Sequence, residues 1–179
     1  MSVSRLSSWV CGCFAGLCLV ACSSATFELN ALTPAEPDAV RERAMRRLSL
    51  ASAYYEQNQT QVAQQEVRAA LQIDPQFAQA YSLLGLIHQR DHAPALAQQS
   101  FERALQLAAV PPVQLAELAA IQHNYGWFLC EQHQFAQAQA QFEKALSATT
   151  YRYTDKTAQA MTLCQQRAAA WAATPGRQP

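Results

Sequence analysis

The sequence predicts an all-α protein, a solenoid of about three helical hairpins closed by a C-terminal capping helix. Three observations predict it. Alanine, glutamine and leucine dominate and glycine totals 5 of 179 residues, a composition of good helix formers. From about residue 44 onward, apolar residues recur at three- and four-residue spacing, which buries one face of a helix. The whole pattern then repeats after 34 residues and once more after a further 41. Such self-similarity marks stacked supersecondary units.

Charge narrows the function before any motif is read. There are 13 basic and 13 acidic residues, and Arg5 is the only charge ahead of Cys22, so the remainder carries 12 against 13. Nucleic-acid binding rests on clustered Lys and Arg neutralising phosphates, so no nucleic-acid partner is expected. A polybasic membrane-surface segment is equally unsupported.

The first element in chain order is an address. Residues 1–21 join a short n-region carrying Arg5 to the 13-residue apolar run Trp9 to Ala21, the pattern of a secretory signal. The run is too short to span a bilayer, which needs about 20 residues. Leu19-Val20-Ala21-Cys22 resembles the lipobox of bacterial lipoproteins. That resemblance implies cleavage before Cys22, a diacylglycerol on its thiol and an acyl group such as palmitate on its amine. Ser23 resembles the sorting pattern for the outer membrane. Residues 22–37 lack helical period and hold Pro34 and Pro37, and read as a flexible tether with a reach of roughly 50 Å.

Residues 38–173 form the array, with repeats near 44–77, 78–111 and 119–152, a capping helix at 154–173 and a tail at 174–179. Leu50, Ala51, Tyr54, Ala63, Val67, Ala70 and Leu71 recur as Leu84, Gly85, His88, Ala97, Phe101, Ala104 and Leu105. They recur again as Tyr125, Gly126, Leu129, Ala138, Phe142, Ala145 and Leu146. Small residues at 51, 85 and 126, and alanines at 63, 97 and 138, let paired helices approach closely. Phe101 and Phe142 reach toward the next unit. These positions, with Asp74-Pro75 closing the first unit, resemble the tetratricopeptide (TPR) repeat. First helices are expected near 44–57, 78–91 and 119–132, second helices near 60–73, 94–107 and 135–147. Seven extra residues fall around Val110-Pro111-Pro112-Val113. Proline cannot continue a helix, so they form either a longer loop or a longer start to the next helix.

The TPR resemblance implies a concave groove lined by the first helices. Carried over by position, its residues are Ser52, Tyr55 and Glu56, then Leu86, Gln89 and Arg90, then His123, Asn124, Trp127 and Glu131. Tyr, Trp and Arg are the types that anchor interfaces, although Trp127 and Leu86 are equally suited to burial between repeats. His88 and His92 share the i, i+4 spacing of a metal pair. Gln89 stands where a zinc protease needs its glutamate, so no metal site is expected. No nucleophile has a catalytic context and no Gly-rich phosphate loop occurs. Hence no enzyme, cofactor or small-molecule substrate is expected.

Cys130 and Cys164 lie 34 residues apart, one repeat, so they share a place on neighbouring first helices. Helix axes at about 8–10 Å disfavour a bond that needs Cα atoms within about 7 Å. An inward lean of both side chains would allow it; otherwise both are buried thiols.

Asn124-Tyr125-Gly126-Trp127-Phe128-Leu129-Cys130 is more specific than a generic TPR. It resembles the type IV pilus biogenesis and stability lipoproteins PilF and PilW, as does the spacing from Tyr151 to Cys164. The family has about six repeats against three here, and His123, Ala160 and Thr162 depart from its pattern. The resemblance implies pairing of Cys130 with Cys164. It also implies a pilotin, lipid-anchored at the periplasmic face of the outer membrane, that binds pilus secretin subunits through its groove and promotes their assembly. The alternative is a general periplasmic TPR scaffold for other envelope or secretion components.

Overall fold

The structure, a computed structural model, describes residues 36–174. The signal segment 1–21, Cys22, nearly all of the tether and most of the tail lie outside the described residues. The described residues form seven helices and no strand: α1 (Pro37–Glu56), α2 (Thr60–Ile73), α3 (Ala78–Arg90), α4 (Pro94–Ala108), α5 (Leu115–Glu131), α6 (Phe135–Leu146) and α7 (Thr154–Ala172).

Two helices start earlier than the repeat period places them. α1 begins at Pro37 rather than residue 44, with proline in its first turn followed by Asp38. Proline loses no helical bond there, and the carboxylate faces the positive end of the helix dipole. α5 begins at Leu115 rather than 119. The insertion therefore resolves into both of its options, a bend over 110–112 followed by an extra turn of helix.

The helices pair as α1 with α2, α3 with α4 and α5 with α6, and α7 packs on α6 as the first helix of another hairpin would. Successive first helices also meet, α1 with α3, α3 with α5 and α5 with α7. Successive second helices make no comparable approach. The stack therefore curves with α1, α3, α5 and α7 on its inner, concave side.

What holds each hairpin shut is a small residue facing a large one. A Cβ at Gly85 would lie 2.8 Å from the Phe101 ring, and one at Gly126 would lie 2.9 Å from the Phe142 ring. In the first hairpin Ala51 and Val67, both fully buried, fill these roles with a slightly larger and a smaller side chain. Phe101 then reaches the next unit, its ring centroid 5.6 Å from Tyr125 and 5.4 Å from Phe128. Burying a phenylalanine contributes about 1.5–3 kcal/mol, so these joints bind one repeat to the next.

The first helices of all three hairpins end alike. Asn58, His92 and His133 take φ of 59°, 56° and 61°, and the two amides after each C-cap turn back onto carbonyls of the last turn, as Gln59 N does to Tyr54 O at 2.9 Å. This is the Schellman closure, which uses a left-handed residue to satisfy orphan carbonyls. It fixes the loop that returns the chain into each second helix.

Candidate functional site

The concave face is built by side chains that bridge one first helix to the next. Between α1 and α3, the Arg90 guanidinium lies 3.5 Å from the centre of the Tyr55 ring. It also donates to the Tyr55 carbonyl and, at 3.0 Å, to Asn58 Oδ1. Burial raises the Tyr55 pKa, and the Arg90 charge acts against that shift. Between α3 and α5, Gln89 Nε2 donates to Glu131 Oε2 at 2.5 Å, and Asn124 Nδ2 donates to Ser82 Oγ at 3.1 Å. Gln89 Oε1 is buried with no hydrogen-bond partner among the described residues. Between α5 and α7, Arg167 sits 4.8 Å from the centre of the Trp127 ring.

Within this face lies a hollow of about 260 Å³, lined by Leu48, Ser52, Leu83, Leu86, Ile121 and Asn124 among others. Its floor is aliphatic and its rim polar. Ser52 Oγ donates to the Leu48 carbonyl at 3.0 Å, so Ser52 and Asn124 are both held in place by bonds within this face. The face as a whole offers an apolar depression, two arginine-on-aromatic platforms and amide groups. That is chemistry for holding a peptide segment.

Of the groove residues expected from sequence, Tyr55, Leu86, Gln89, Arg90, Asn124, Trp127 and Glu131 come together on this face. Glu56 is exposed. His123 is instead drawn between α5 and α7, its Nδ1 2.9 Å from Thr157 Oγ1 and its ring edge-on to Phe142 at 6.0 Å. Burial first, and then the charge of Lys156, hold its pKa below the usual histidine value. Arg167, Thr157 and Ser82 were missed. The signal for two of them was present: Thr157 lies one 34-residue period after His123, and Arg167 lies one helical turn after Cys164.

Cys130 and Cys164 are joined in the structure, with Cα atoms 5.8 Å apart. Cα atoms lie about 2.3 Å off a helix axis, so two residues that face each other across an ordinary axis spacing of about 8–10 Å come within reach of a disulfide. The bond lies beside Trp171, whose ring stacks on His133 at 3.8 Å. His92, one half of the i, i+4 histidine pair, occupies the left-handed position that ends α3. No cluster of three or more His, Cys, Asp or Glu suited to a metal exists among the described residues. No described helix is long and apolar enough to cross a membrane.

Curved paired helices with an inner groove define a tetratricopeptide-repeat protein, and residues 47–77 and 76–150 match models of the tetratricopeptide repeat. Two of the relatives it resembles are proteins of the type IV pilus. The type IV pilus assembly protein PilF of Pseudomonas aeruginosa is 30% identical over 104 residues, 58% of this chain and 38% of PilF. The solved structure of that PilF superposes with a TM-score of 0.62 at 27% identity, over 74% of this chain and 56% of the other. PilW, described as a widely conserved type IV pilus biogenesis factor, gives 0.61 at 28% identity, over 72% and 56%. An uncharacterised Haemophilus influenzae protein is 32% identical over 118 residues, 66% of this chain and 62% of its own length. The chain thus spans less than two thirds of each of these relatives.

Proposed function

We propose that this chain is a non-catalytic assembly factor for the type IV pilus, a pilotin whose concave face binds a secretin subunit. In this reading Cys22 carries the lipid that holds the protein at the periplasmic face of the outer membrane. The observation that carries the proposal is the groove itself. Tyr55 with Arg90, Trp127 with Arg167 and the hollow beside Leu86 lie on one inner face of repeats similar to those of PilF and PilW.

Two physical effects make such a protein an assembly factor without chemistry. A groove whose side chains are already bonded to one another loses little further freedom on binding, which favours affinity. A lipid leash confines the bound subunit to the membrane surface and raises its effective concentration there. Each buried methylene of the lipid contributes about 0.8 kcal/mol, so two or more acyl chains anchor stably.

A photoreactive residue at position 127 in living cells is expected to crosslink the pilus secretin. Trp127→Ala combined with Tyr55→Ala is expected to abolish secretin pull-down while the helical circular dichroism stays. Equal recovery with the double variant would remove the groove from the mechanism. Recovery of other envelope proteins and no secretin would favour the general scaffold. Labelled palmitate is expected to enter the wild type and not Cys22→Ser, and membrane fractionation should follow the label.

A further inference from the structure

The seven-residue insertion builds a second concavity, lined by residues other than those of the hollow on the groove face. A cleft of about 290 Å³ lies between the end of α4, the turn after α2 and the starts of α1, α3 and α5. Leu107, Val110, Pro111 and Pro112 form its apolar wall, and Arg41 and Glu117 are its charged lining. Arg41 is already neutralised: its Nε meets Asp74 Oδ2 at 2.9 Å, and its guanidinium lies 4.5 Å from the centre of the Phe77 ring. Asp74 is fully engaged too, since its Oδ1 accepts the Gln76 N–H at 2.9 Å. Glu117 is left over. It is partly buried and forms no ion pair among the described residues. Burial pushes its pKa up; the Arg41 charge and the Gln79 backbone act against this, and the Asp74 charge adds to it.

We propose that this cleft takes a lysine or arginine side chain from a protein partner. The methylene stem of such a side chain would lie along the Leu107–Pro112 wall, as long basic side chains do on apolar surface. Its cationic head would meet the Glu117 carboxylate, where partial burial strengthens the attraction relative to water. The insertion also leaves Val110, Val113 and Leu115 exposed at 60%, 38% and 48%. These suit an apolar residue of the partner next to its cation. The site shares no lining residue with the groove hollow and invokes no secretin, so it stands or falls apart from the pilotin reading.

The test titrates the isotope-labelled full-length chain with three N-acetylated, C-amidated tripeptides, Ala-Leu-Lys, Ala-Leu-Gln and Ala-Leu-Glu, followed by amide chemical shifts. Ala-Leu-Lys is expected to shift Gln79, Gln114 and Glu117 saturably, and the other two peptides are not. Glu117→Gln should weaken that binding about five- to tenfold, and Val110→Ser about twofold, with unchanged melting temperatures. Equal shifts from Ala-Leu-Gln, undiminished binding by Glu117→Gln, or no saturable shift would each overturn the proposal. Lysine amide binding as tightly as Ala-Leu-Lys would also overturn it, because the site would then read a free cation and no protein segment.

Discussion

Gly126 packs against Phe142 so closely that even one methyl group would sit 2.9 Å from the ring. The ring cannot easily retreat, since it is fully buried and flanked by His123. Gly126→Ala normally adds about 1 kcal/mol of helix propensity, but overpacking of this kind costs about 1–3 kcal/mol. The expected net result is a loss of up to about 2 kcal/mol in denaturant unfolding. Combining it with Phe142→Val reproduces the Ala51–Val67 pair of the first hairpin. The double variant should therefore be more stable than the sum of the single effects predicts, by about 1 kcal/mol. Strict additivity would mean that glycine is not there to admit the ring.

The bond between Cys130 and Cys164 closes a loop of 34 residues. On the chain-entropy estimate such a loop stabilises by about 3–4 kcal/mol. Cys130→Ser with Cys164→Ser, or treatment with reductant, should lower the melting temperature by roughly 10 °C or more. Deuterium uptake should rise first in α7, whose far side no further helix covers among the described residues. Both cysteines should resist thiol reagents in unreduced, denatured protein. Labelling there would show that the native pair is not bonded.

The array was legible because its signal is repeated. Small and large residues at fixed intervals, from Ala51 and Val67 to Gly126 and Phe142, report hairpins regardless of the partners they later meet. The helix starts at Pro37 and Leu115 were not legible from the period, because both lie outside it. There local chemistry decides, a proline in the first turn at one and the end of a proline-held bend at the other. The groove was readable as positions and less so as contacts. His123 was assigned to the guest surface, yet its bond to Thr157 spends it on the joint with α7. Arg167 is not legible from the repeat, because a capping helix carries no groove positions, whereas α7 lays this side chain over Trp127.

The same histidine makes stability depend on pH. Its folded pKa lies below the unfolded value of about 6.5, so the unfolded chain binds more protons in the window between them. Stability then rises with pH through that window. The contribution is fully present above about pH 6.5 and is lost as pH falls toward the depressed folded value. His88 shifts in the same direction through burial. Chemical denaturation at intervals from pH 7.5 to 5 should show a falling unfolding free energy. His123→Gln should flatten that slope, and His88→Gln should remove a further part. A slope unchanged in both variants would assign the effect to other groups.

Arg90 carries the joint between the first two repeats. The Tyr55 carbonyl already accepts the Asn58 N–H at 3.0 Å, and the guanidinium gives it a second hydrogen bond while stacking on the same residue's ring. Its third contact, Asn58 Oδ1, belongs to the left-handed residue that closes the helix. Arg90→Ala should therefore cost about 1–2 kcal/mol and speed amide exchange over residues 54–59, leaving α5–α7 unaffected. Arg90→Lys should recover little, because an ammonium cannot stack flat on tyrosine while donating in two fixed directions. If lysine restored both stability and exchange protection, a simple positive charge at the end of α1 would be enough. The planar fork would then have no part in setting the angle between α1 and α3.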